Sequence, residues 1–357
     1  MKEEKYTCDI CHEEHDLSEL TYFDESYLCE ACLRRETFIC RDCGDRHWND
    51  DSADGDLCQT CYDEDYVRCE RCDAVIHYDD ACYHEDEEYH DHPYCRDCFD
   101  MDEIIHDYYY KPEPIFYGDG PRYLGVELEL DDGGENEFCA SKLLEIANNG
   151  CERMYIKHDG SLDDGFECVT HPMTLDYHIN QMPWRAILNK AVAKGYLSHQ
   201  AGTCGLHVHI SRNALGANYE EQEATIAKIL YFYEKFWNEI LTFSRRTESQ
   251  AEHWARRYGG GIINPKETLK HAKNSHMGRY AAVNLENEAT IEMRIFRGTL
   301  RYKTFMATLQ FVDLLCEMAI NLADEEFQTM TWKEFAKTVS ANKAELKEYL
   351  KIRGLEE

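Results

Sequence analysis

Six cysteine pairs with the spacing Cys-x-x-Cys lie within the first hundred residues of this chain and constrain its fold more than any other feature. A Cys-x-x-Cys turn brings two thiolates to one metal ion, and two such turns complete the tetrahedral all-thiolate site that suits zinc. Taken in order the pairs form three repeats, so we predict three structural zinc ions, each held by neighbouring pairs. The predicted ligands are Cys8, Cys11, Cys29, Cys32, Cys40, Cys43, Cys58, Cys61, Cys69, Cys72, Cys95 and Cys98.

Two other arrangements of the zinc ligands stay open. A cross-brace, as in RING-like or LIM-like modules, would interleave the pairs, although three repeats divide evenly only into sequential sites. In the third repeat another side chain could replace a cysteine, and the candidates are Cys82, His84, His90 and His92. A zinc ion with four cysteine ligands has no open coordination position, so we expect residues 1–105 to dock a partner rather than to catalyse a reaction. Metal would supply much of the folding free energy of so small a module.

The chain is strongly acidic, with a net charge of −32 that is concentrated before residue 110. Such a surface repels phosphate backbones, because nucleic-acid affinity depends on basic groups that displace counterions. Direct binding to duplex nucleic acid is therefore not expected. The acidic module instead favours a protein partner or a basic ligand, and simple solubility explains the charge equally well.

Neither a membrane segment nor a secretion signal is indicated by the sequence. No stretch approaches the ~18–20 uninterrupted apolar residues that span a bilayer. The charged start, Met-Lys-Glu-Glu-Lys, lacks the apolar run of a signal peptide. We therefore expect a cytoplasmic protein, in which reduced cysteines bind metal rather than form disulfides.

After the cysteine repeats, the pattern is that of a linker followed by a mixed α+β domain. Residues 106–121 are aromatic and proline-punctuated, and we interpret them as a linker that lies on the domain of residues 122–357. Apolar alternation predicts strands near residues 122–131, 166–171, 205–211 and 289–296, and less regular strands are expected near residues 153–157 and 280–286. Helical periodicity predicts helices near residues 138–148, 176–194, 220–243, 303–323 and 343–353.

Three of these predicted strands carry chemically reactive side chains at every second position. The pairs, which alternate with Val, Leu, Ile or Met, are Glu127 and Glu129, His207 and His209, and Glu292 and Arg294. Because side chains of a strand alternate between faces, each strand buries one apolar face and presents its polar pair on the other. A single strand of this kind is also typical of an ordinary antiparallel sheet with one face exposed to solvent. Three together offer ligands for metal and phosphate, and we predict a site on that face.

Two further segments could contribute to this site. A turn with Gly160 and Gly165 brings Asp159 close to Glu167, although an Asp before Gly is equally explained as a turn former. The segment 244–261 is rich in Arg and Gly and is interpreted either as a lid over a nucleotide or as a solvated loop. Its arginines that could face a substrate are Arg245, Arg246, Arg256 and Arg257.

The order of the motifs resembles the amidoligase family, whose members are related to glutamine synthetase and glutamate–cysteine ligase. The motifs are Gly-x-Glu-x-Glu, Asp-Gly-Ser followed by Gly-x-Glu-x-Val, Gly-Leu-His-Val-His, Arg-Tyr-x-x-Val-Asn and Ile-Glu-x-Arg-x-Phe-x-Gly-Thr. They extend over roughly residues 122–325. The zinc repeats are not part of the family pattern.

The resemblance implies a curved antiparallel sheet, backed by helices, whose concave face holds ATP and two or three Mg²⁺ or Mn²⁺ ions. ATP would phosphorylate a carboxylate, and an amine would then attack the acyl phosphate. By similarity the metal ligands would be Glu127, Glu129, Glu167, His207 and Glu292, and His209 would contact the nucleotide or add a ligand. Arg294 would stabilise charge on the transferred phosphate.

Other polar residues of these motifs leave alternatives open. Arg279 would be a second arginine for phosphate or a substrate carboxylate. Asn284 either positions a substrate or caps a strand. Arg297 and Arg301 are weaker candidates for such a role, and either could pair with surface acids instead.

The sequence as a whole therefore predicts an ATP-dependent carboxylate–amine ligase whose zinc module docks a partner or a substrate. The carboxylate and the amine are not identified, and a protein acceptor fits as well as a small molecule or a modified nucleotide. The alternative is a protein-interaction adaptor built on the zinc repeats, with an inactive ligase domain.

Overall fold

The structure, a computed structural model, describes residues 5–83, 92–99, 104–259 and 264–356. The chain divides into two compact units, Met1–Asp102 and Glu103–Glu357. Helices and strands are mixed in the α+β manner that the sequence predicts. Within the described residues, no helix has the length and the apolar character needed to cross a membrane.

The first unit repeats a simple pattern of short hairpins followed by a short helix. The first repeat contains β1 (Lys5–Thr7), β2 (Glu14–Asp16), β3 (Leu20–Phe23), β4 (Ser26–Cys29) and α1 (Glu30–Glu36). The second contains β5 (Thr37–Ile39), β6 (Arg46–Trp48), β7 (Ser52–Asp54), β8 (Leu57–Cys58) and α2 (Gln59–Asp65). The third contains β9 (Tyr66–Arg68), β10 (Val75–His77) and α3 (Arg96–Phe99), with a bridge between Cys82 and Tyr94.

Each repeat buries very few apolar side chains. In the first, Leu28 and Leu33 pack against the cysteines, and in the second Leu57 does so. Trp48 of the second repeat packs on the first, where its indole N–H donates to Asp24 Oδ2 at 2.6 Å. So small an apolar core stabilises a fold only marginally, which agrees with a unit that depends on metal.

The second unit is built on a seven-stranded sheet. Its strands are β11 (Ile105–His106), β12 (Leu124–Leu130), β13 (Met154–Lys157), β14 (Phe166–Thr170), β15 (Leu206–Ser211), β16 (Val283–Asn284) and β17 (Thr290–Met293). They lie in the order β11-β13-β14-β12-β15-β17-β16. All neighbouring pairs are antiparallel except β11 with β13, which are parallel at the edge of the sheet.

The apolar face of this sheet packs into one core with the helices of the unit. These helices are α4 (Glu137–Ala147), α5 (Leu175–Asn180), α6 (Trp184–Ala193), α7 (Tyr219–Lys235), α8 (Trp237–Ser244), α9 (Glu248–Trp254), α10 (Pro265–Asn274), α11 (Tyr302–Asn321), α12 (Asp324–Thr329), α13 (Trp332–Lys337) and α14 (Ala344–Ile352). Most of α11 is buried, and the Phe311 ring packs against Phe243 in a tilted pair and against Phe296 and Phe335 in T-shaped pairs. The polar side chains of the strands lie on the opposite face of the sheet.

Several elements differ from the sequence prediction in their extent. The helix expected over residues 176–194 is interrupted by Pro183 into α5 and α6, since proline cannot continue a helix. The helix expected over residues 220–243 breaks at Phe236 into α7 and α8. The segment expected to be a loop over residues 244–261 contains α9, which starts at a capping box of Thr247 and Gln250.

The aromatic segment before residue 122 is tied to the second unit by backbone hydrogen bonds. Ile105 and His106 pair with β13, and the Tyr117 N–H donates to the Pro172 carbonyl at 3.0 Å. The Tyr110 ring stacks on His106 at 3.6 Å between centroids. These contacts explain why so aromatic a segment is ordered.

Candidate functional site

The twelve paired cysteines form three groups of four, and each group could hold one metal ion. Within a group the sulfur atoms all lie within 4.8 Å of one another. Neighbouring pairs are joined, as predicted, and no cross-brace is formed among the described residues. The groups are Cys8, Cys11, Cys29 and Cys32, then Cys40, Cys43, Cys58 and Cys61, and finally Cys69, Cys72, Cys95 and Cys98.

Backbone amides prepare one cysteine in each group to be a thiolate. The Cys29 N–H donates to Cys8 Sγ at 3.4 Å, and the Cys58 N–H donates to Cys40 Sγ at the same distance. Burial raises the pKa of Cys8, but the amides of Cys11 and Cys29 outweigh it and lower this pKa to about 6. Because thiolate is the form that binds zinc, the fold favours metal before any ion is bound.

The third group consists of four cysteines, so no replacement ligand is required there. Cys82 lies outside the group, with its sulfur 3.9 Å from the Asp80 carbonyl oxygen. His92 Nδ1 lies 3.9 Å from Glu70 Oε1. The other two candidates, His84 and His90, lie outside the described residues.

In the second unit, strand register brings the predicted polar pairs together on one face of the sheet. Glu127 of β12 lies opposite His207 of β15, and His209 lies opposite Glu292 of β17. On the other side of β12, Glu129 lies opposite Glu167 of β14. We call these six residues the carboxylate–histidine cluster.

His207 is at the centre of the cluster and is nearly inaccessible. Its Nδ1 lies 3.2 Å from Glu127 Oε2 and 3.6 Å from Glu292 Oε1, and its Nε2 lies 3.6 Å from Glu129 Oε1. Glu127, His207 and Glu292 each offer one ligand atom within 4.8 Å of the other two. His209 Nε2 lies 3.1 Å from Glu127 Oε1. This set of donors fits a divalent cation.

Gly205, which opens the Gly-Leu-His-Val-His motif, fits closely around two of these residues. A Cβ at this position would collide with the His207 imidazole. The Gly205 N–H also donates to a carboxylate oxygen of Glu129. The glycine thus allows the histidine and the carboxylate to approach each other.

Buried negative charge is only partly compensated in the cluster. Glu129 and Glu167 are 4% and 2% exposed, and Lys157 Nζ lies 3.1 Å from Glu167 Oε2. Burial, reinforced by the charge of Glu127, nevertheless raises the pKa of Glu167 well above its ordinary value. Burial also raises the pKa of Glu129, although His207 opposes this effect. Bound cations would relieve this repulsion.

Glu292 holds Arg294 at the edge of the cluster. The Arg294 guanidinium pairs with Glu292 Oε1, and Asn284 Nδ2 donates to Glu292 Oε2 at 2.8 Å. Asn284 therefore orients a carboxylate and does not merely cap a strand. Among the described residues, the buried Nε of Arg294 has no acceptor. An oxygen of a ligand could accept a hydrogen bond from this N–H.

Arg279 and Asp159 are held by other contacts than those of the cluster. Arg279 donates to the Tyr108 hydroxyl at 2.6 Å and lies over the Tyr280 ring. Asp159 accepts a hydrogen bond from the Ser161 N–H at 2.7 Å, as a turn former does, while its charge also acts on Glu129.

The arginines of segment 244–261 separate into two kinds. Arg256 and Arg257 are paired with Glu252 and Glu234. Arg245 and Arg246 point to backbone carbonyls of the segment after β17 instead. Two glycines of the expected lid, Gly260 and Gly261, lie outside the described residues.

Sequence reasoning missed Lys157 as a neighbour of the cluster. The residue lies on β13, where Tyr155 and Lys157 alternate with the buried Met154 and Ile156. This is the same period-two signal that identified the other strands, so the pattern could have predicted it. Tyr108, which contacts Lys157 by a cation–π interaction, carries no comparable signal.

Comparison with models of known families agrees with this geometry. Residues 150–316 match the family described as "Putative amidoligase enzyme". The match contains Glu167, both histidines of β15, Glu292 and Arg294, and β12 precedes it. It confirms the family resemblance that the motifs predicted. A search of curated proteins finds no match for this chain.

Proposed function

We propose that the second unit is an ATP-dependent carboxylate–amine ligase that forms an amide bond through an acyl phosphate. The observation that supports this proposal is the carboxylate–histidine cluster, which register assembles on one sheet face beside Arg294. Much of it lies in the segment that matches the amidoligase model. The fold supplies the residue types that phosphoryl transfer to a carboxylate requires.

The side chains of the cluster and Arg294 would have different roles in this reaction. Glu127, His207 and Glu292 converge closely enough to share one ion, and Glu129 and Glu167 offer further oxygens beside them. Bound Mg²⁺ or Mn²⁺ with ATP would supply the phosphoryl group and neutralise its charge. Arg294, held in place by Glu292, would donate hydrogen bonds to the transferred group.

ADP release tests this proposal directly. Purified full-length protein is supplied with Mg-ATP and a panel of carboxylates and amines, and Glu129→Ala is compared with wild type. We expect substrate-dependent release that falls about 100-fold or more in Glu129→Ala. Glu145→Ala is the matched control, because Glu145 is an exposed acid on α4 that pairs with Lys142. Equal activity in Glu129→Ala would refute the assignment of the site.

The first unit, in this proposal, docks a substrate or a partner protein. Its four-cysteine groups leave no coordination position for a reacting molecule. Its surface exposes aromatic rings, among them Tyr22 and Tyr27, whose centroids are 5.0 Å apart. If no substrate pair stimulates ADP release and calorimetry detects no Mg-ATP binding, the adaptor alternative with an inactive ligase domain is the better account.

A further inference from the structure

The second unit also contains an open cavity with basic lining residues, whose charge is opposite in sign to that of the carboxylate–histidine cluster. It has a volume of about 480 Å³ and is lined mainly by basic side chains. These come from four separate segments of the chain and are His199, Arg245, Arg246, Arg297 and Arg353. None of the six residues of the cluster lines this cavity.

No described acidic residue forms a salt bridge with the four guanidinium groups of this cavity. Within the described part of the chain, no Asp or Glu oxygen lies within 4.0 Å of any of them. The chain carries 70 acidic residues against 38 Lys and Arg, so an arginine cluster that forms no salt bridge with any described acid requires an explanation. Arg297, for which the sequence left open a surface acid as a partner, forms no salt bridge among the described residues.

Backbone carbonyls fix these arginines in place without neutralising them. Arg245 donates to the carbonyls of Arg297 and Gly298, and Arg246 Nε donates to the Ile295 carbonyl at 2.9 Å. Arg353 Nη2 donates to the Thr242 carbonyl at 2.7 Å. The groups are therefore pre-positioned, which lowers the entropy cost of binding an anion.

Burial makes the absence of a counterion costly. Arg246 is 7% exposed, and burial lowers its pKa to about 10, as it does for Arg245. The Nε of Arg297 is buried and has no acceptor among the described residues. An anion in the cavity would supply the missing acceptor and would offset the mutual repulsion of the cations.

His199 adds a neutral donor to the same cavity. Its Nδ1 accepts from Arg245 at 3.1 Å, so its proton lies on Nε2. Burial, followed by the charge of Arg245, lowers the pKa of His199 to about 4. The cavity thus offers hydrogen-bond donors from every charged or titratable side chain that lines it.

We propose that this cavity binds a phosphate group. Four guanidiniums match the charge and the several acceptor oxygens of a phosphate dianion better than a monocarboxylate. Arg297 pairs with Gly205, whose N–H donates to a carboxylate oxygen of Glu129, so the phosphate site adjoins the cluster. The proposal does not rest on ligase activity and would hold for an inactive domain.

Calorimetric titration with inorganic phosphate, at low ionic strength and without ATP or divalent ions, tests the proposal on the full-length protein. We expect saturable binding that Arg353→Gln weakens about tenfold or more. Arg256→Gln removes the same charge outside the cavity and should bind phosphate as wild type does, because Arg256 pairs with Glu252. The titration contains neither ATP nor divalent ions, so its outcome is independent of the ligase test.

Two substitutions of Thr247 test the site without disturbing the fold. Thr247 lines the cavity and caps α9 through its hydroxyl. Asp and Asn both preserve the cap, but only Asp adds negative charge beside the arginines. Thr247→Asp should weaken phosphate binding about tenfold, while Thr247→Asn should change it little.

Competing ligands identify the source of the phosphate. If metal-free ADP displaces phosphate, the cavity binds a phosphate of a nucleotide. If ADP does not compete, the cavity binds free phosphate or another phosphate ester. If acetate binds as tightly as phosphate, the proposed preference of the cavity for phosphate over a monocarboxylate is wrong. Absence of phosphate binding, or equal affinity in Thr247→Asp and Thr247→Asn, would refute the site.

Discussion

At the scale of single residues, Glu292 shows how one side chain serves several neighbours. It pairs with Arg294, accepts from Asn284 and approaches His207 within 3.6 Å. Such a carboxylate has little freedom to rotate, so its free oxygen lone pairs point in a defined direction. A residue of this kind should matter more for metal binding than its exposure suggests.

Manganese binding should therefore stabilise the second unit through Glu292. At an Mn²⁺ concentration of about 100 times Kd, we expect a gain of about 2.7 kcal/mol in the free energy of unfolding. Glu292→Gln should lose most of this gain, because the amide is a weaker ligand and carries no charge. Thermal unfolding with and without Mn²⁺ measures the effect. Glu145→Gln, an equivalent change on exposed α4, should keep the gain, and equal stabilisation of both variants would contradict the prediction.

His178 gives the unit a defined sensitivity to acid. Its Nε2 lies 3.0 Å from the Leu124 carbonyl, and its Nδ1 accepts from the Trp184 indole at 3.2 Å, so the neutral ring satisfies both partners. Burial lowers the pKa of His178 from 6.5 to about 4. Above pH 6.5 the ring is neutral in both states. As pH falls towards 4, only the unfolded chain gains the proton, so stability is lost.

The loss from this one group should be about 3 kcal/mol between pH 6.5 and 4. Denaturant unfolding at several pH values measures it. His178→Gln cannot titrate, so its stability should fall less over this range, even if it is lower than wild type at neutral pH. Parallel pH profiles of the two proteins would show that His178 does not titrate as proposed.

At the scale of elements, α11 supports the sheet from its apolar side. Phe311, at its centre, is fully buried against Phe243 and Phe335. Phe311→Ala should reduce the free energy of unfolding of the second unit by about 3–5 kcal/mol, because the cavity cannot collapse fully. Urea unfolding followed by far-UV circular dichroism measures the change. Ile320→Ala, on the same helix at a position 36% exposed, should cost far less, and similar losses would contradict the packing described here.

The strands of this unit were predictable from sequence where one face is buried. The alternation in β12, β15 and β17 predicted both their positions and the side chains that share a face, because the period of a strand is two. Helix ends were less predictable. Pro183 and Phe236 interrupt continuous helical patterns, and α9 begins in an Arg-rich segment whose composition predicts a loop.

The cavity of arginines could not have been predicted in the same way. His199, Arg246, Arg297 and Arg353 come from segments that share no periodic pattern. They are joined by hydrogen bonds from side chains to distant backbone carbonyls, and such contacts leave no signature in a single sequence. Arg279, whose motif indicates a site role, donates to Tyr108 and Tyr280 in the structure, and its role in a site stays a prediction.

At the scale of the whole molecule, the two units derive their stability from different sources. The second unit has a large apolar core, whereas the first buries a few leucines around its cysteines. Removal of metal should therefore affect them unequally.

Elemental analysis of the purified protein should find three zinc ions per chain, one for each cysteine group. A strong chelator should unfold the first unit and leave the thermal transition of the second unit within about 2 °C of its original value. Cys40→Ser should lower the zinc content to two ions per chain. A zinc content that does not change in Cys40→Ser would contradict the sequential grouping.

The pairing of Glu127 on β12 with His207 on the neighbouring β15 has a further consequence for folding. A shift of β15 by one residue would turn both histidines toward the helices and place Leu206 and Val208 beside the carboxylates. The slipped sheet would lose its core and its ligands in a single step. A cation that binds the carboxylate–histidine cluster would therefore discriminate between alternative strand pairings, and the native register would be favoured from both faces of the sheet at once.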